Sequence, residues 1–264
     1  MTPPGTHLIL IPSFNPGPRL FVTVQEALAH RQPVWVVIDG STDGSDAPVR
    51  ELAARAPHLR ILSREKNGGK GNAVFTGVVA ALAAGFTHVL TMDADGQHPA
   101  SHIEPFIQAS QRNPDALIAG APVFGPDAPA VRLQGRKLSV ALVRLETLGP
   151  VIADPLFGFR VYPAAPLARA LLATSAARGY DFDPEIAVRL VWAGVPVVNL
   201  PAPCRYFTAD QGGISHFRYV RDNAKMAWLH VRLLAQLLVR WPAVRRVRRA
   251  ARLNDADYHS NSSF

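Results

Sequence analysis

The first 120 residues alternate short apolar runs with segments of helical periodicity. The apolar runs cover residues 8–11, 34–38, 59–62, 88–92 and 116–119. Helices are predicted between them over residues 19–29, 45–56, 73–84 and 103–111. Continuous apolar strands separated by helices predict a parallel sheet that is covered on both faces.

The second half of the chain is less regular. Helical patterns lie near residues 133–148, 166–173 and 184–192, and residues 195–200 suggest one more strand. We therefore predict an α/β fold with a mostly parallel, Rossmann-like sheet in a domain over residues 1–215. Residues 7–120 form its first half and residues 121–215 its second half.

Polar residues follow the predicted strands at the point where each one ends. Pro12-Ser13-Phe14-Asn15 follows the first strand, Asp39-Gly40-Ser41-Thr42-Asp43 the second, and Asp93-Ala94-Asp95-Gly96-Gln97-His98 the fourth. Ligands of such sheets bind beyond the carboxyl ends of the strands. The pattern therefore predicts a binding site at that edge.

Asp93 and Asp95 are the sharpest chemical signal in the chain. In an extended chain both carboxylates point to the same side and can share one divalent cation, and Gln97 continues the spacing. The alternative is a solvated turn at a strand end, because Asp is common in turns.

Two glycine-containing loops have similar alternatives. Residues 68–72, Gly-Gly-Lys-Gly-Asn, precede a helix, where backbone N–H groups and Lys70 suit a phosphate, although a flexible turn has the same composition. Asp39 and Asp43 also fit a simple turn and helix cap. None of these segments is a dinucleotide fingerprint or a P-loop.

Composition and charge narrow the class of protein. The chain has 264 residues, 48% of them apolar, and a single cysteine, Cys204, which fits a reducing compartment. The first five residues lack the features of a signal peptide, and residues 73–92 change from a helical to a strand pattern, which argues against a membrane span. We expect a cytoplasmic protein, peripheral on the inner face of the membrane.

The net charge of +8 is concentrated near the C-terminus. Residues 216–252 contain ten basic side chains and one acid, which leaves a net charge of −1 for the rest of the chain. The segment predicts a basic amphipathic helix that Pro242 breaks or kinks, and residues 253–264 are expected to be disordered. Such a helix either docks on the domain or lies on anionic lipid. Nucleic acid is not expected as a partner, because the arginine-rich part lacks interleaved aromatic residues.

Together these motifs resemble glycosyltransferase family 2, in the branch that contains the dolichyl-phosphate mannose synthases. The resemblance covers roughly residues 7–200 and includes Asp154 and Gly158-Phe159-Arg160 in the second half. It implies a GT-A fold, a nucleotide-diphospho-sugar donor and Mg²⁺ or Mn²⁺ as cofactor. The donor-site residues that it implies are Pro12, Phe14, Asn15, Asp39, Lys70, Asp93, Ala94 and Asp95, with Asp93, Asp95 and Gln97 at the metal.

The acceptor side departs from this branch. An arginine that serves the acceptor phosphate is replaced by Gly120-Ala121-Pro122, whereas Arg136 matches a second arginine of the branch. If the acceptor is a hydroxyl group, a general base is needed, and Asp154 is the candidate, together with Asp93 as a second catalytic residue. The other acceptor-side candidates are Arg160, Asp183, Glu185 and His216.

The leading hypothesis is a metal-dependent transferase that moves a sugar to a lipid-linked or lipid-like acceptor, with inversion. The alternative is an inactive protein of the same fold that acts as a scaffold at the membrane surface. The two differ in one expectation, because only an enzyme requires Asp95. Ile38 stands where the family usually has an acid, and Phe14 stands where it has a tyrosine.

Overall fold

The computed structural model describes residues 6–125, 130–176, 178–207 and 218–261, and it contains one seven-stranded sheet. The strands are β1 His7–Ser13, β2 Val34–Asp39, β3 Leu59–Arg64, β4 His88–Thr91, β5 Leu117–Phe124, β6 Arg160–Pro163 and β7 Val197–Cys204. Their order across the sheet is β3-β2-β1-β4-β6-β5-β7. All pairs are parallel except those of β6, which runs antiparallel to β4 and β5. The mostly parallel α/β fold is confirmed.

Eight α-helices accompany the strands in the described part of the chain. They are α1 Arg19–Leu28, α2 Ala47–Ala53, α3 Lys70–Ala83, α4 Ile103–Arg112, α5 Ala130–Glu146, α6 Ala164–Leu172, α7 Phe182–Trp192 and α8 Tyr219–Asn261. The seven helices predicted before residue 193 are all present within a few residues of their expected bounds. β6 was not predicted, because it is only four residues long and begins with a buried arginine.

The alternating side chains of the strands fill two cores, one on each face of the sheet. In β1, Ile9 and Ile11 face the core under α1, α2 and α4, while Leu8 and Leu10 face the core under α3, α6 and α7. A third cluster joins α5, α7 and α8. Helix α8 therefore packs against the second half of the domain.

Helix α8 is continuous through Pro242, so the chain does not break there, whereas a kink at Pro242 stays a prediction. The helix extends to Asn261, and the disorder expected for residues 253–264 also stays a prediction. Within the described residues, no helix is both long and apolar enough to cross a membrane. The expected acceptor-side residue His216 lies outside the described residues.

Two histidines at the amino-terminal edge of the sheet make stability depend on pH. His7 is 3% exposed and stacks on His88, with a centroid separation of 4.6 Å. Burial, together with the charge of His88, lowers the pKa of His7 from 6.5 to about 4. Between these two values the unfolded chain binds a proton that the folded protein does not bind, so stability falls as the pH decreases from 6.5 towards 4.

We expect acidification from pH 7 to pH 4 to lower the free energy of unfolding by on the order of 2–3 kcal/mol through His7. His7→Phe keeps an aromatic ring against His88 but cannot titrate. Urea denaturation at a series of pH values should therefore show a smaller acid loss in the variant than in the wild type. Parallel pH profiles for the two proteins would contradict this assignment.

Candidate active site

The site lies at the carboxyl edge of the sheet, where the sequence predicted it. A cavity of about 990 Å³ opens there between the ends of β1 and β2, the loop before α3, residues 175–176 and 178–181, and the first turns of α8. Pro12, Phe14, Asp39, Lys70 and Asp93 line it. The sequence analysis placed these five residues in one donor site, and the structure brings them to one cavity.

Lys70 is the central charge of this cavity. Its Nζ atom lies 2.7 Å from Asp93 Oδ1 and 2.7 Å from Asp183 Oδ2. Burial opposes its charge, but the carboxylates of Asp183 and Asp93 outweigh burial and hold the pKa of Lys70 above its ordinary value. Lys70 is therefore a permanent cation in a fixed position.

The backbone leaves room for this lysine at Gly158. A Cβ atom at that position would collide with Lys70 Nζ and would stand 3.2 Å from Asp183 Oδ1 and 3.3 Å from Asp93 Oδ2. The Gly158 carbonyl accepts a hydrogen bond of 2.7 Å from Thr91 Oγ1, which fixes the loop to the end of β4. The family-like Gly158-Phe159-Arg160 segment thus shapes the wall behind Lys70.

Asp39 holds the glycine loop in place. Its carboxylate accepts hydrogen bonds from the N–H groups of Gly68 and Gly69 at 2.8–3.1 Å and pairs with Arg64 Nε at 2.7 Å. The side chain is 2% exposed. Asp39 therefore acts as a positioning residue for the loop before Lys70.

Asn15 likewise joins two loops at the mouth of the site. Its Oδ1 atom accepts a hydrogen bond from the Thr42 N–H at 2.7 Å, and its own N–H donates to Ser41 Oγ at 3.1 Å. Asp43 accepts from the Gly17 N–H at 2.9 Å. Asn15 and Asp43 thus hold the loop after β1 against the loop after β2.

The Asp93-Ala94-Asp95 segment does not stay extended, because the chain turns at residues 94–95. The assumption behind the same-side geometry is therefore wrong, but the two carboxylates remain close. Burial, and next the charge of Asp93, raise the pKa of Asp95 to about 6. The backbone N–H of Gln97 donates to Asp95 Oδ1 at 3.0 Å, and Thr23 Oγ1 donates to the Ala94 carbonyl at 3.3 Å.

His98 supports Asp93 from behind, a role that the sequence analysis missed. Its Nδ1 atom accepts a hydrogen bond of 2.9 Å from the Asp93 N–H, so the ring proton is on Nε2, which lies 3.5 Å from Asp93 Oδ2. Burial lowers the pKa of His98 to about 4, so the ring is neutral at pH 7. The only sequence signal was its place five residues after Asp93.

The acceptor-side candidates are more dispersed. Asp154 is 4% exposed, pairs with Arg136 Nη1 at 2.6 Å and accepts the N–H groups of Leu156 and Phe157. All three contacts are made by Oδ1, and they hold the Asp154 side chain in place. Arg136 contacts Asp154 and is not part of the cavity wall.

Two other acceptor-side candidates are fully buried. The Arg160 guanidinium donates to the carbonyls of Pro155, Phe157 and Asp183 at 2.7–2.9 Å. Glu185 binds Arg189, Arg232 and Thr174 and thereby joins α7 to α8. Arg160 and Glu185 therefore hold the chain around the site in place. Asp183, in contrast, belongs to the site, because it pairs with Lys70.

The side chains at this edge supply only part of the ligands that a divalent cation needs. Among the residues that the structure describes, no group of three or more His, Cys, Asp and Glu side chains is arranged to hold a metal. Asp93 lines the cavity, and Asp95 follows two residues later without lining it. Two carboxylates would be the protein share of a divalent cation site only if other oxygen ligands, such as those of a phosphate, completed it.

The comparisons with known proteins agree with this geometry. Residues 8–172 match the model of the family described as "Glycosyl transferase family 2". A polyprenol monophosphomannose synthase of Mycolicibacterium smegmatis is 30% identical over 81% of this chain and 81% of its own length. An undecaprenyl-phosphate mannosyltransferase of Micrococcus luteus is 28% identical over 74% of this chain and 81% of its own length.

Among solved structures, the fold resembles that of a mannosyltransferase from Pyrobaculum calidifontis in complex with GDP-Man and Mn²⁺. The TM-score is 0.62 at 20% sequence identity, over 92% of this chain and 69% of that one. The expected GT-A fold is confirmed by this likeness.

Two glycines allow a test of the loop before Lys70. Gly69 has φ +86°, and a Cβ there would collide with the Arg178 carbonyl, which also accepts the Gly71 N–H at 2.9 Å. Gly44 has φ +74° and open space around it. We expect Gly44→Ala to lower the free energy of unfolding by about 1 kcal/mol through backbone strain alone, and Gly69→Ala by about 2–4 kcal/mol.

Chemical denaturation of the two variants gives the comparison. The excess loss in Gly69→Ala measures the close contact between the loop and residue 178. Equal losses in the two variants would show that this contact does not constrain the loop.

Proposed function

The chain belongs to glycosyltransferase family 2, and from this premise we propose that it transfers a sugar from a nucleotide-diphospho-sugar to the phosphate of a lipid acceptor, with Mg²⁺ or Mn²⁺. The observation that carries the proposal is the fixed Lys70 cation, held by Asp93 and Asp183 at the edge of a cavity large enough for both substrates. The names of the two relatives, each of which mentions a polyprenyl phosphate, support the acceptor.

Lys70 suits the chemistry of such a donor. When the bond between sugar and diphosphate breaks, negative charge develops on the leaving diphosphate. A lysine that stays protonated and cannot move away stabilises that charge without reorganisation. Asp93 and Asp183 hold its ammonium group in place, and His98 fixes the backbone and carboxylate of Asp93.

Asp93 and Asp95 would hold the divalent cation, with Gln97 as the third expected ligand. Bound there, the cation supplies compensating positive charge to the diphosphate. Asp95 is the more available carboxylate, because Asp93 already pairs with Lys70. Burial and the charge of Asp93 both raise the pKa of Asp95, and a divalent cation held by the two carboxylates would offset that cost.

A phosphate acceptor agrees with the contacts of Asp154. A hydroxyl acceptor needs a base to remove its proton, and Asp154 is held by Arg136 and two backbone N–H groups. A phosphate oxygen is already ionised at neutral pH and attacks without such a base. Direct displacement of the diphosphate by that oxygen inverts the configuration of the anomeric carbon.

We further propose that α8 places the protein on the surface of the membrane, at its cytoplasmic face. Large apolar side chains project from this helix into solvent: Trp228, Val231, Leu238, Val239 and Trp241 are 43–84% exposed. Exposed arginines accompany them at positions 240, 245, 246 and 249. An apolar row flanked by arginines is the pattern of a helix that binds anionic lipid in its own plane.

We expect Asp95→Asn to lower kcat by about 10²–10³-fold, because the neutral amide compensates a divalent cation poorly. Asp115→Asn is the matched control, since Asp115 is exposed and precedes β5 at the opposite edge of the sheet. Sugar transfer from UDP-, GDP- and dTDP-sugars to an isoprenyl phosphate is measured with Mn²⁺ and with EDTA. Thermal shifts of the same mixtures report donor binding independently of turnover.

One nucleotide sugar should give a metal-dependent thermal shift in the wild type and in Asp115→Asn, and Asp95→Asn should lose that shift. Full activity in Asp95→Asn would contradict the metal site. A folded wild-type protein that binds none of the nucleotide sugars would contradict the transferase and favour the scaffold alternative.

We expect Leu238→Glu to weaken binding to anionic vesicles by about tenfold or more, since it removes a leucine from the apolar row and adds a negative charge. Leu172→Glu is the control, because Leu172 is 72% exposed at the end of α6 and Leu238 is 78% exposed. Co-sedimentation with phosphatidylglycerol vesicles measures the effect. Equal losses in both variants would show that the row on α8 has no special part in membrane binding.

A further inference from the structure

The first turns of α8 form a wall of the active-site cavity. The basic and apolar residues that line the cavity here recur mainly at intervals of three and four, so they make a single stripe. This α8 stripe comprises Arg218, just before the helix, and Arg221, Lys225, Trp228, Leu229 and Arg232 on it; the acid Asp222 lines the cavity beside them. The sequence left open whether the basic residues of this segment face solvent or anionic lipid. The structure places four of them, Arg218, Arg221, Lys225 and Arg232, on the wall of the cavity that Lys70 and Asp93 also line.

The cations of the α8 stripe are only partly neutralised. Arg221 pairs with Asp222 at 3.0 Å but remains 51% exposed, and Arg232 binds Glu185. Within the described ranges, Arg218 and Lys225 make no ion pair, and both side chains are exposed. The stripe therefore presents an excess of positive charge to the cavity, which suits an anionic ligand.

The α8 stripe continues into the apolar row of the same helix. Trp228 lines the cavity and is also 66% exposed, so it stands at the rim. Val231, Leu238 and Val239 follow it along the exposed side of the helix. A ligand with an anionic head and a hydrocarbon tail would keep its head in the cavity and its tail along this row.

The arginine that the resemblance assigns to the acceptor makes other contacts in the structure. Arg136 pairs with Asp154 at 2.6 Å and stacks over the ring of Phe124 at 5.1 Å. On the opposite wall, Lys70 is occupied by two carboxylates. Three cations in the described part of the cavity wall have no ion-pair partner: Arg178, Arg218 and Lys225. The Arg178 guanidinium donates to the carbonyls of Leu171 and Thr174, so Arg218 and Lys225 are the two that remain for an anionic ligand.

We infer that the α8 stripe binds the phosphate of the lipid acceptor and that the hydrocarbon chain of this acceptor leaves the cavity past Trp228. The inference rests on the proposed function and deepens it, because residues more than ninety positions away take the place of the arginine that is absent at Gly120-Ala121-Pro122. A phosphate in the cavity could also belong to the donor diphosphate. The experiment therefore measures the two ligands separately.

Calorimetric titration of the full chain uses three acceptor probes: a short-chain isoprenyl monophosphate, the alcohol of the same chain length, and inorganic phosphate. Donor affinity is measured with the nucleotide sugar that gives a thermal shift. The variants are Lys225→Glu, the conservative Lys225→Arg, and Arg55→Glu as a matched control, since Arg55 is exposed after α2 and does not line the cavity. Circular dichroism and thermal unfolding establish that each variant is folded.

We expect Lys225→Glu to weaken binding of the isoprenyl monophosphate by about tenfold or more, because it reverses a charge beside the ligand. Lys225→Arg and Arg55→Glu should bind it within about twofold of the wild type. Donor affinity should be unchanged in all variants, and the KM for the acceptor should rise in Lys225→Glu. The alcohol and inorganic phosphate should bind more weakly than the isoprenyl monophosphate.

Three results would overturn the inference: a loss of donor affinity alone in Lys225→Glu, unchanged binding of every probe, or isoprenol binding as tightly as the phosphate. Inorganic phosphate binding as tightly as isoprenyl phosphate would overturn the role of the tail. Binding that depends on Lys225 in a protein that transfers no sugar would support the stripe and count against the proposed function. A failure of this inference and a failure of the proposed function therefore give different results.

Discussion

The ion pairs of Lys70 with Asp93 and Asp183 are the interaction on which the site depends. They join the first residue of α3, the segment after β4 and the first turn of α7, parts of the chain separated by up to 113 positions. A partly buried lysine is favourable only while its carboxylates remain close. Three features keep the carboxylates close to Lys70: the loop of Gly68 and Gly69, the space at Gly158 and the support of Asp93 by His98. The cavity is therefore organised around one fixed charge.

Helix α8 shows how one element meets three environments. Leu229, Leu233 and Leu237 bury one side of it against α5 and α7, and the Glu185 carboxylate binds Arg232 across the same contact. A second side faces the cavity and a third faces solvent with apolar residues. Because a single helix carries all three sides, its docking on the domain also fixes where an acceptor on the membrane would meet the donor site. If α8 lies on the membrane as proposed, membrane attachment and catalysis would be coupled by this geometry.

The sequence predicted the strands, the helices and the edge that holds the site, because those features follow from local periodicity and from polar residues at strand ends. The resemblance implied one donor site for Pro12, Phe14, Asp39, Lys70 and Asp93, which the structure brings to one cavity, while their role in donor binding stays a prediction. Local patterns did not show which partners the second-half residues bind: Asp183 pairs with Lys70, Asp154 with Arg136, and Arg160 with backbone carbonyls. Helical spacing distinguished an apolar from a basic side of α8 but did not show which basic residues face the cavity.

The two walls of the cavity differ in how their charges are held, and the difference fits what each would bind. Lys70 is enclosed and paired, so its position is set before the donor arrives, as stabilisation of a developing charge requires. Lys225 and Arg221 are long, exposed side chains, which adjust to a headgroup that arrives on a mobile lipid. A phosphate acceptor brings its own negative charge, so the α8 wall has to attract and orient it, and no base is needed to activate it. A hydroxyl acceptor carries no negative charge, so four cations on this wall would do little to attract it. It would instead need a carboxylate base with fewer contacts than Asp154.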